Sequence, residues 1–264
     1  MATVILVRHG RTTANVEGIL AGRTAGVLLD EVGQGQATRT AERLAVVSLV
    51  GVVSSPLERC RQTSDIILSH QLGSPSNPAT SSNPATSSNP DELSKTLEPA
   101  NPIENDITEC DYGQWQGSAL RDLVKEDLWS VVQSRPSEVV FPGGESMQAM
   151  QTRAVAAIRR LDAAFEAEHG PGAVWVAVSH GDVIKSILAD ALGMHLDRFQ
   201  RISVNPASVS IVRYRTEQPD VLAMNTDAGD LSWLRTAPAA EEPQLGGGAG
   251  HQAAGHQAAA TSGS

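Results

Sequence analysis

The chain has 264 residues, of which 41% are hydrophobic and only 3% aromatic, and it carries a formal net charge of −10 at pH 7. That length allows one large domain or two small ones, and any core must be built mostly from Ala, Val, Leu and Ile. The acidic balance argues against nucleic acid or an anionic membrane as partner, so an anionic ligand needs a local basic pocket. Two cysteines, Cys60 and Cys110, form neither a disulfide framework nor a metal-type pair and suit a reducing cytosol. Met1-Ala2-Thr3-Val4 has no basic region ahead of a long apolar run. No stretch approaches the roughly 20 apolar residues that span a bilayer. The expected location is the cytoplasm.

Thr3 to Val7 is an apolar, β-branched run that reads as a buried central strand. It stops at Arg8-His9-Gly10, where Gly10 permits a sharp bend or a close approach. A loop from Val16 to Asp30 precedes a helix expected over Thr38 to Val47, with Ala37, Ala41 and Leu44 on one face. Val50 to Ser54 is a second strand. Ser55-Pro56-Leu57-Glu58-Arg59 opens a helix running to about His70. Residues 73–90 are a low-complexity insert, in which Ser-Asn-Pro-Ala-Thr-Ser at 76–81 recurs at 82–87 and begins again at 88, read as a disordered loop.

Ile107-Thr108-Glu109 looks like the end of a third short strand or extended segment, and Leu120 to Val132 looks helical. Ser146 caps a long amphipathic helix to about Glu168. Ala173 to Val178 is the second strongest strand; it ends in Ser179-His180-Gly181-Asp182, and a helix follows from Val183 to Leu192. Ser208 to Tyr214 and Val221 to Met224 are two last strands, suited to an antiparallel edge. The Gly-rich residues 236–264 read as a disordered tail. This alternation predicts an α/β fold, a three-layer αβα sandwich with a mostly parallel central sheet, in one domain over residues 1–235.

In such sheets ligands bind outside the carboxyl ends of the strands. Arg8-His9, Arg59, Glu109 and His180 each follow an apolar strand-like run, so their side chains are expected to converge. Two guanidiniums suit a phosphoryl group, which they grip bidentately while neutralising its charge. A histidine between them can be a nucleophile, and a second, protonated, can bond a non-bridging oxygen. Glu109 can protonate the leaving oxygen and later take a proton from water. Asn15 adds a neutral donor, and Gly181 opens a helix whose N–H groups can seat an anion.

The chain resembles the histidine phosphatase superfamily, the branch of phosphoglycerate mutases and related phosphatases. Arg8-His9-Gly10-x-Thr12-x-x-Asn15 matches its first signature and Ser55-Pro56-Leu57-Glu58-Arg59-Cys60-x-Gln62-Thr63 its second. Glu109-x-Asp111-Tyr112-Gly113-x-Trp115-x-Gly117, Pro142-Gly143-Gly144-Glu145-Ser146 and Ser179-His180-Gly181 complete the order. The resemblance implies a phosphoglycerate mutase-like fold with His9 as nucleophile and Glu109 as proton donor. It implies a phosphate pocket of Arg8, Asn15, Arg59, His180 and Gly181, with no cofactor and no metal. Gly22 falls where the family expects it, and Glu145 is either a rim residue or an ion-pair partner of Arg153. Arg11 stands where many relatives carry Glu; it either favours a more anionic substrate or faces solvent.

The expected partner is a small phosphorylated metabolite. Hydrolysis is favoured over mutase chemistry because Gly117 to Pro142 is short, with Arg121, Lys125 and Arg135 its only cations. Three other readings compete. His9, His180 and Glu109 could form a zinc site, although Arg8 and Arg59 would repel the ion. A Ser-His-Asp hydrolase lacks its Gly-x-Ser-x-Gly elbow. A non-catalytic phosphate-binding module would keep the pocket and lose a catalytic group, whereas every group is present here.

Overall fold

The computed structural model describes residues 2–72, 101–215 and 217–235. The insert at 73–90 and the tail at 236–264 lie outside them. Strands β1 (Thr3–Arg8), β2 (Gly51–Ser54), β3 (Val174–Ser179), β4 (Val209–Arg213) and β5 (Asp220–Thr226) form one sheet in the order β2-β3-β1-β4-β5. β1 pairs in parallel with β3, and β3 with β2, while β4 is antiparallel to both β1 and β5. Four of the five strands therefore point one way, with β4 the exception.

Alternation along the central strands sends side chains to two cores. Val4 and Leu6 face one cluster with Trp175, Ala177 and Ile184, whereas Ile5 and Val7 face another with Val176, Ala41, Leu44 and Ile67. The first core is covered by helices α6 (Met147–His169) and α7 (Gly181–Ala191), the second by α2 (Glu31–Leu44) and α3 (Glu58–Leu72). The short helices α1 (Thr13–Glu17), α4 (Leu120–Leu123) and α5 (Asp127–Ser134) lie in the connections.

Three local expectations change. Helix α2 begins seven residues earlier than the apolar pattern indicates, because the Asp30 carboxylate caps it by accepting the Gly33 N–H (2.7 Å). The helix expected over Leu120 to Val132 divides into α4 and α5, with the turn at Val124 to Glu126 between them. Among the described residues no third strand precedes Glu109; instead Glu104 caps a single 3-10 turn, Asn105–Ile107, by accepting the Asp106 N–H, and Ile103 bridges β2 at Ser54. Asn105 and Asp106 favour the turn because short polar side chains compete with ladder hydrogen bonds.

Candidate active site

The strand ends deliver three of the expected groups. Arg8 ends β1, His9 follows it, and His180 follows β3 as the N-cap residue of α7. Arg59 comes from the first turn of α3, and Glu109 from the loop after the 3-10 turn. Arg8, His9, Asn15, Gly22, Arg59, Glu109 and Gly181 line one cavity of about 410 Å³, within the size range of small-molecule sites.

His9 is almost fully buried. Its Nδ1 lies 2.8 Å from the Gly10 carbonyl, which can only accept, so Nδ1 carries the proton. Nε2 is then the lone pair, and Arg59 Nε donates to it (3.2 Å). Burial first, then Arg59 and Arg8, holds His9 well below the usual pKa of 6.5. The backbone behind it is fixed by contact between two glycines: a Cβ on Gly10 would sit 2.4 Å from the Gly33 carbonyl oxygen.

Arg59 is 2% exposed and spreads its fork over three partners. Besides His9, its Nη2 donates to the Gly22 carbonyl (2.7 Å) and to His180 Nδ1 (3.3 Å). Arg8 Nη1 donates to the Val204 carbonyl (2.7 Å). Two buried donors, Arg8 Nε and Arg59 Nη1, have no protein partner. Buried guanidinium N–H groups of this kind call for an acceptor. Asn15 turns its Oδ1 to the Thr12 N–H and hydroxyl (both 3.1 Å), which leaves its amide nitrogen as donor.

His180 does not line the cavity. It is fully buried, with its ring edge-to-face 5.3 Å from His9. Because Nδ1 accepts from Arg59, Nε2 carries the proton and donates to Ser55 Oγ (2.7 Å). Burial first, then Arg59, His9 and Arg8, holds its pKa well below 6.5, so the ring is neutral rather than the protonated donor expected. Glu109 approaches His180 Nδ1 at 3.9 Å and accepts the Cys110 N–H (2.9 Å). Burial, and then the nearby charge of Asp182, pushes its carboxyl up to about 7.

Glu145 is not a cavity residue. It pairs with Arg153 (2.6 and 3.0 Å) and Arg23 (2.9 Å) and accepts the Asp111 N–H. Arg23 and Arg153 in turn donate to the Glu109 carbonyl at 2.8 and 3.1 Å, so this ion cluster braces the loop carrying the acid. Arg11 neither lines the cavity nor stands free in solvent; it pairs with Asp30 (2.8 Å), the cap of α2. Among the described residues no three His, Cys, Asp or Glu side chains gather at metal-ligating spacing. Cys60 and Cys110 are free and buried.

The segments Val16 to Asp30 and Gly113 to Gly144, where the sequence reading puts specificity, bring Ile19, Leu20 and Leu120 to the cavity, but that reading gives no site role to Tyr112, Asp182, Lys185 or Gln200, which also line it. A signal existed for two of them: Asp182 follows His180-Gly181 at a strand end, and Lys185 lies one helical turn further on the same face of α7. Gln200 had none, since the 3-10 helix Leu196–Arg201 has no periodic pattern.

This fold is shared with several solved structures. They include the α-ribazole phosphatase from Shigella flexneri (TM-score 0.66, 24% identity, 86% of this chain and 97% of that one). Another is the phosphoserine phosphatase from Entamoeba histolytica, solved as a mutant in complex with phosphoserine (TM-score 0.66, 19% identity, 86% and 98%). The probable phosphoglycerate mutase GpmB of Salmonella choleraesuis is 29% identical over 245 residues, 92% of this chain and 100% of that protein. Residues 4–77 and 91–227 match the histidine phosphatase superfamily (branch 1), and the chain belongs to that family. It is an enzyme of the phosphatase-or-mutase type. The match breaks at the repeat, which lies outside the family pattern. No helix among the described residues is long and apolar enough to cross a membrane.

Proposed function

We propose that the protein hydrolyses a small cytoplasmic phosphomonoester through a phosphohistidine on His9. One observation carries the reading: the unprotonated Nε2 of His9 sits at a cavity flanked by two buried guanidinium N–H groups that lack protein partners. Arg8, Arg59, the Asn15 amide and the first turn of α7 at Gly181 would hold the phosphoryl oxygens. His9 Nε2 attacks phosphorus, the bond to the leaving oxygen breaks, and Glu109 gives that oxygen its proton. The Glu109 carboxylate then takes a proton from water, whose oxygen attacks phosphorus. The P–N bond breaks and inorganic phosphate leaves. His180 acts from behind, its Nδ1 holding Arg59 in the plane that serves both His9 and the phosphoryl group. No step requires a metal.

Hydrolysis is preferred to mutase chemistry because a mutase must grip a second acidic group. None of Arg121, Lys125 and Arg135 lines the cavity, and Lys125 and Arg135 are paired with Asp122 (2.7 Å) and Glu138 (3.4 Å). The likeness to GpmB favours the second reading. The test is phosphate release from p-nitrophenyl phosphate by wild type and His9→Ala, each with and without chelator, with 3-phosphoglycerate isomerisation assayed in parallel. The expected result is hydrolysis that resists chelation and falls by at least about 10³-fold in the alanine variant. Full activity in His9→Ala would overturn the mechanism. Loss with chelator would restore the zinc reading, and efficient isomerisation the mutase.

A further inference from the structure

The half of the cavity beyond Glu109 has balanced charge. Asp182 Oδ2 accepts the Tyr112 hydroxyl at 2.8 Å, and Oδ1 lies 3.6 Å from Lys185 Nζ. Lys185 also donates to Gln200 Oε1 (3.1 Å) and lies over the Phe199 ring. The one lysine near the leaving group is therefore matched by a carboxylate and an amide. Ser203 and Asn205 add neutral polar groups, and Ile19, Leu20, Leu120 and Ile202 add apolar surface. Cations in excess occur only at the phosphoryl end, in Arg8 and Arg59.

We infer that this half of the site selects an uncharged, hydroxyl-bearing alcohol as leaving group, and that Asp182 is the residue that rejects a carboxylate beside the phosphate. The inference rests on the phosphatase reading above and names its substrate class. A hydroxyl can donate to Asp182 Oδ1 and accept from Lys185 without disturbing either pair. A carboxylate in the same place meets Asp182 at short range, in surroundings that screen charge poorly, and Lys185 offers no surplus charge to offset it. Asp182 and Lys185 are only about a quarter and a fifth exposed, so water weakens the repulsion little. Discrimination of this kind comes from the group that repels the wrong substrate as much as from contacts to the right one.

The test compares pairs that differ in one carboxylate: glycerol 3-phosphate with 3-phosphoglycerate, and phenyl phosphate with 3-carboxyphenyl phosphate. Wild type and Asp182→Asn are assayed for phosphate release, with p-nitrophenyl phosphate as control. Wild type is expected to favour the uncharged member of each hydrolysed pair by at least about tenfold in kcat/KM. Asp182→Asn leaves Lys185 unmatched and should narrow that ratio about tenfold. The ratio is insensitive to a general loss of active enzyme, so a poorly folded variant cannot mimic the result. A wild-type preference for the carboxylated members would overturn the inference and make Lys185 an anion seat. An unchanged ratio in Asp182→Asn would remove Asp182 from the role. If wild type releases phosphate from none of the five compounds, the phosphatase reading fails first.

Discussion

Glu109→Gln tests the proposed proton donor. The substitution keeps the shape of the side chain and its acceptor for the Cys110 N–H while removing the transferable proton. At pH 7 a carboxyl at its ordinary 4.5 would be protonated in only about 0.3% of molecules, and one raised to about 7 in about half. The site thus supplies over a hundredfold more acid than an exposed glutamate would. General acid catalysis is worth about 10²–10⁴ in rate, and it matters most when the leaving oxygen is strongly basic. Hydrolysis of an alkyl phosphate should therefore fall about 10²–10⁴-fold in Glu109→Gln, and that of p-nitrophenyl phosphate far less. In wild type, kcat/KM on the alkyl substrate should decline as pH rises through about 7, since the donor is lost there. The variant should lack that limb. Rates on both substrates across pH 5 to 9, with phosphoenzyme trapped by rapid quench, measure this. Equal losses on the two substrates, or an alkaline limb that persists in the variant, would refute the assignment of Glu109.

Three further perturbations follow from the same geometry. Arg59→Lys replaces a fork serving His9, Gly22 and His180 with a single ammonium; losing one or two charge-assisted bonds at about 1.5–3 kcal/mol each should lower kcat about 10²–10³-fold, and a wild-type kcat would contradict the role. Asp162, buried under Trp175 and accepting its indole N–H (2.9 Å), is pushed up to about 6 by that burial. Its folded pKa exceeds the unfolded value, so stability is complete below about pH 4 and lost as pH rises through 6. Asp162→Asn should then stabilise the protein by about 2–3 kcal/mol at pH 8 and hardly at all at pH 4, and thermal melts showing a lower Tm at pH 8 would reject this. Gly33→Ala places a Cβ 2.0 Å from the Arg11 carbonyl oxygen and should cost about 1–3 kcal/mol in urea unfolding, with a drop in kcat as the loop behind His9 shifts; an unchanged unfolding midpoint would exclude the contact.

Much of this was legible from residue order. Thr3–Arg8 and Val174–Ser179 are continuous apolar runs because strands buried on both faces have no polar side to show, and they place Arg8, His9 and His180 at a common edge. The antiparallel edge of β4 and β5 was readable as well. Glu109 came to the site by a different route from the one its neighbours suggest: a capped 3-10 turn and a bridge at Ile103 replace the expected strand. A short segment with Asn and Asp in it leaves the contest between ladder and turn to packing.

Local pattern and residue chemistry thus settle the class of fold and point to the candidate reactive groups, because strand burial and guanidinium–phosphate affinity are properties of short stretches. Protonation states and the far wall of the cavity depend on distance between segments. His180 is neutral and set behind Arg59 because burial and two guanidiniums act on it from β1 and α3. Burial, and then Asp182 arriving from α7, 73 positions along the chain, raises the Glu109 carboxyl. Charge and solvent act through space, and no periodicity in the sequence records that proximity.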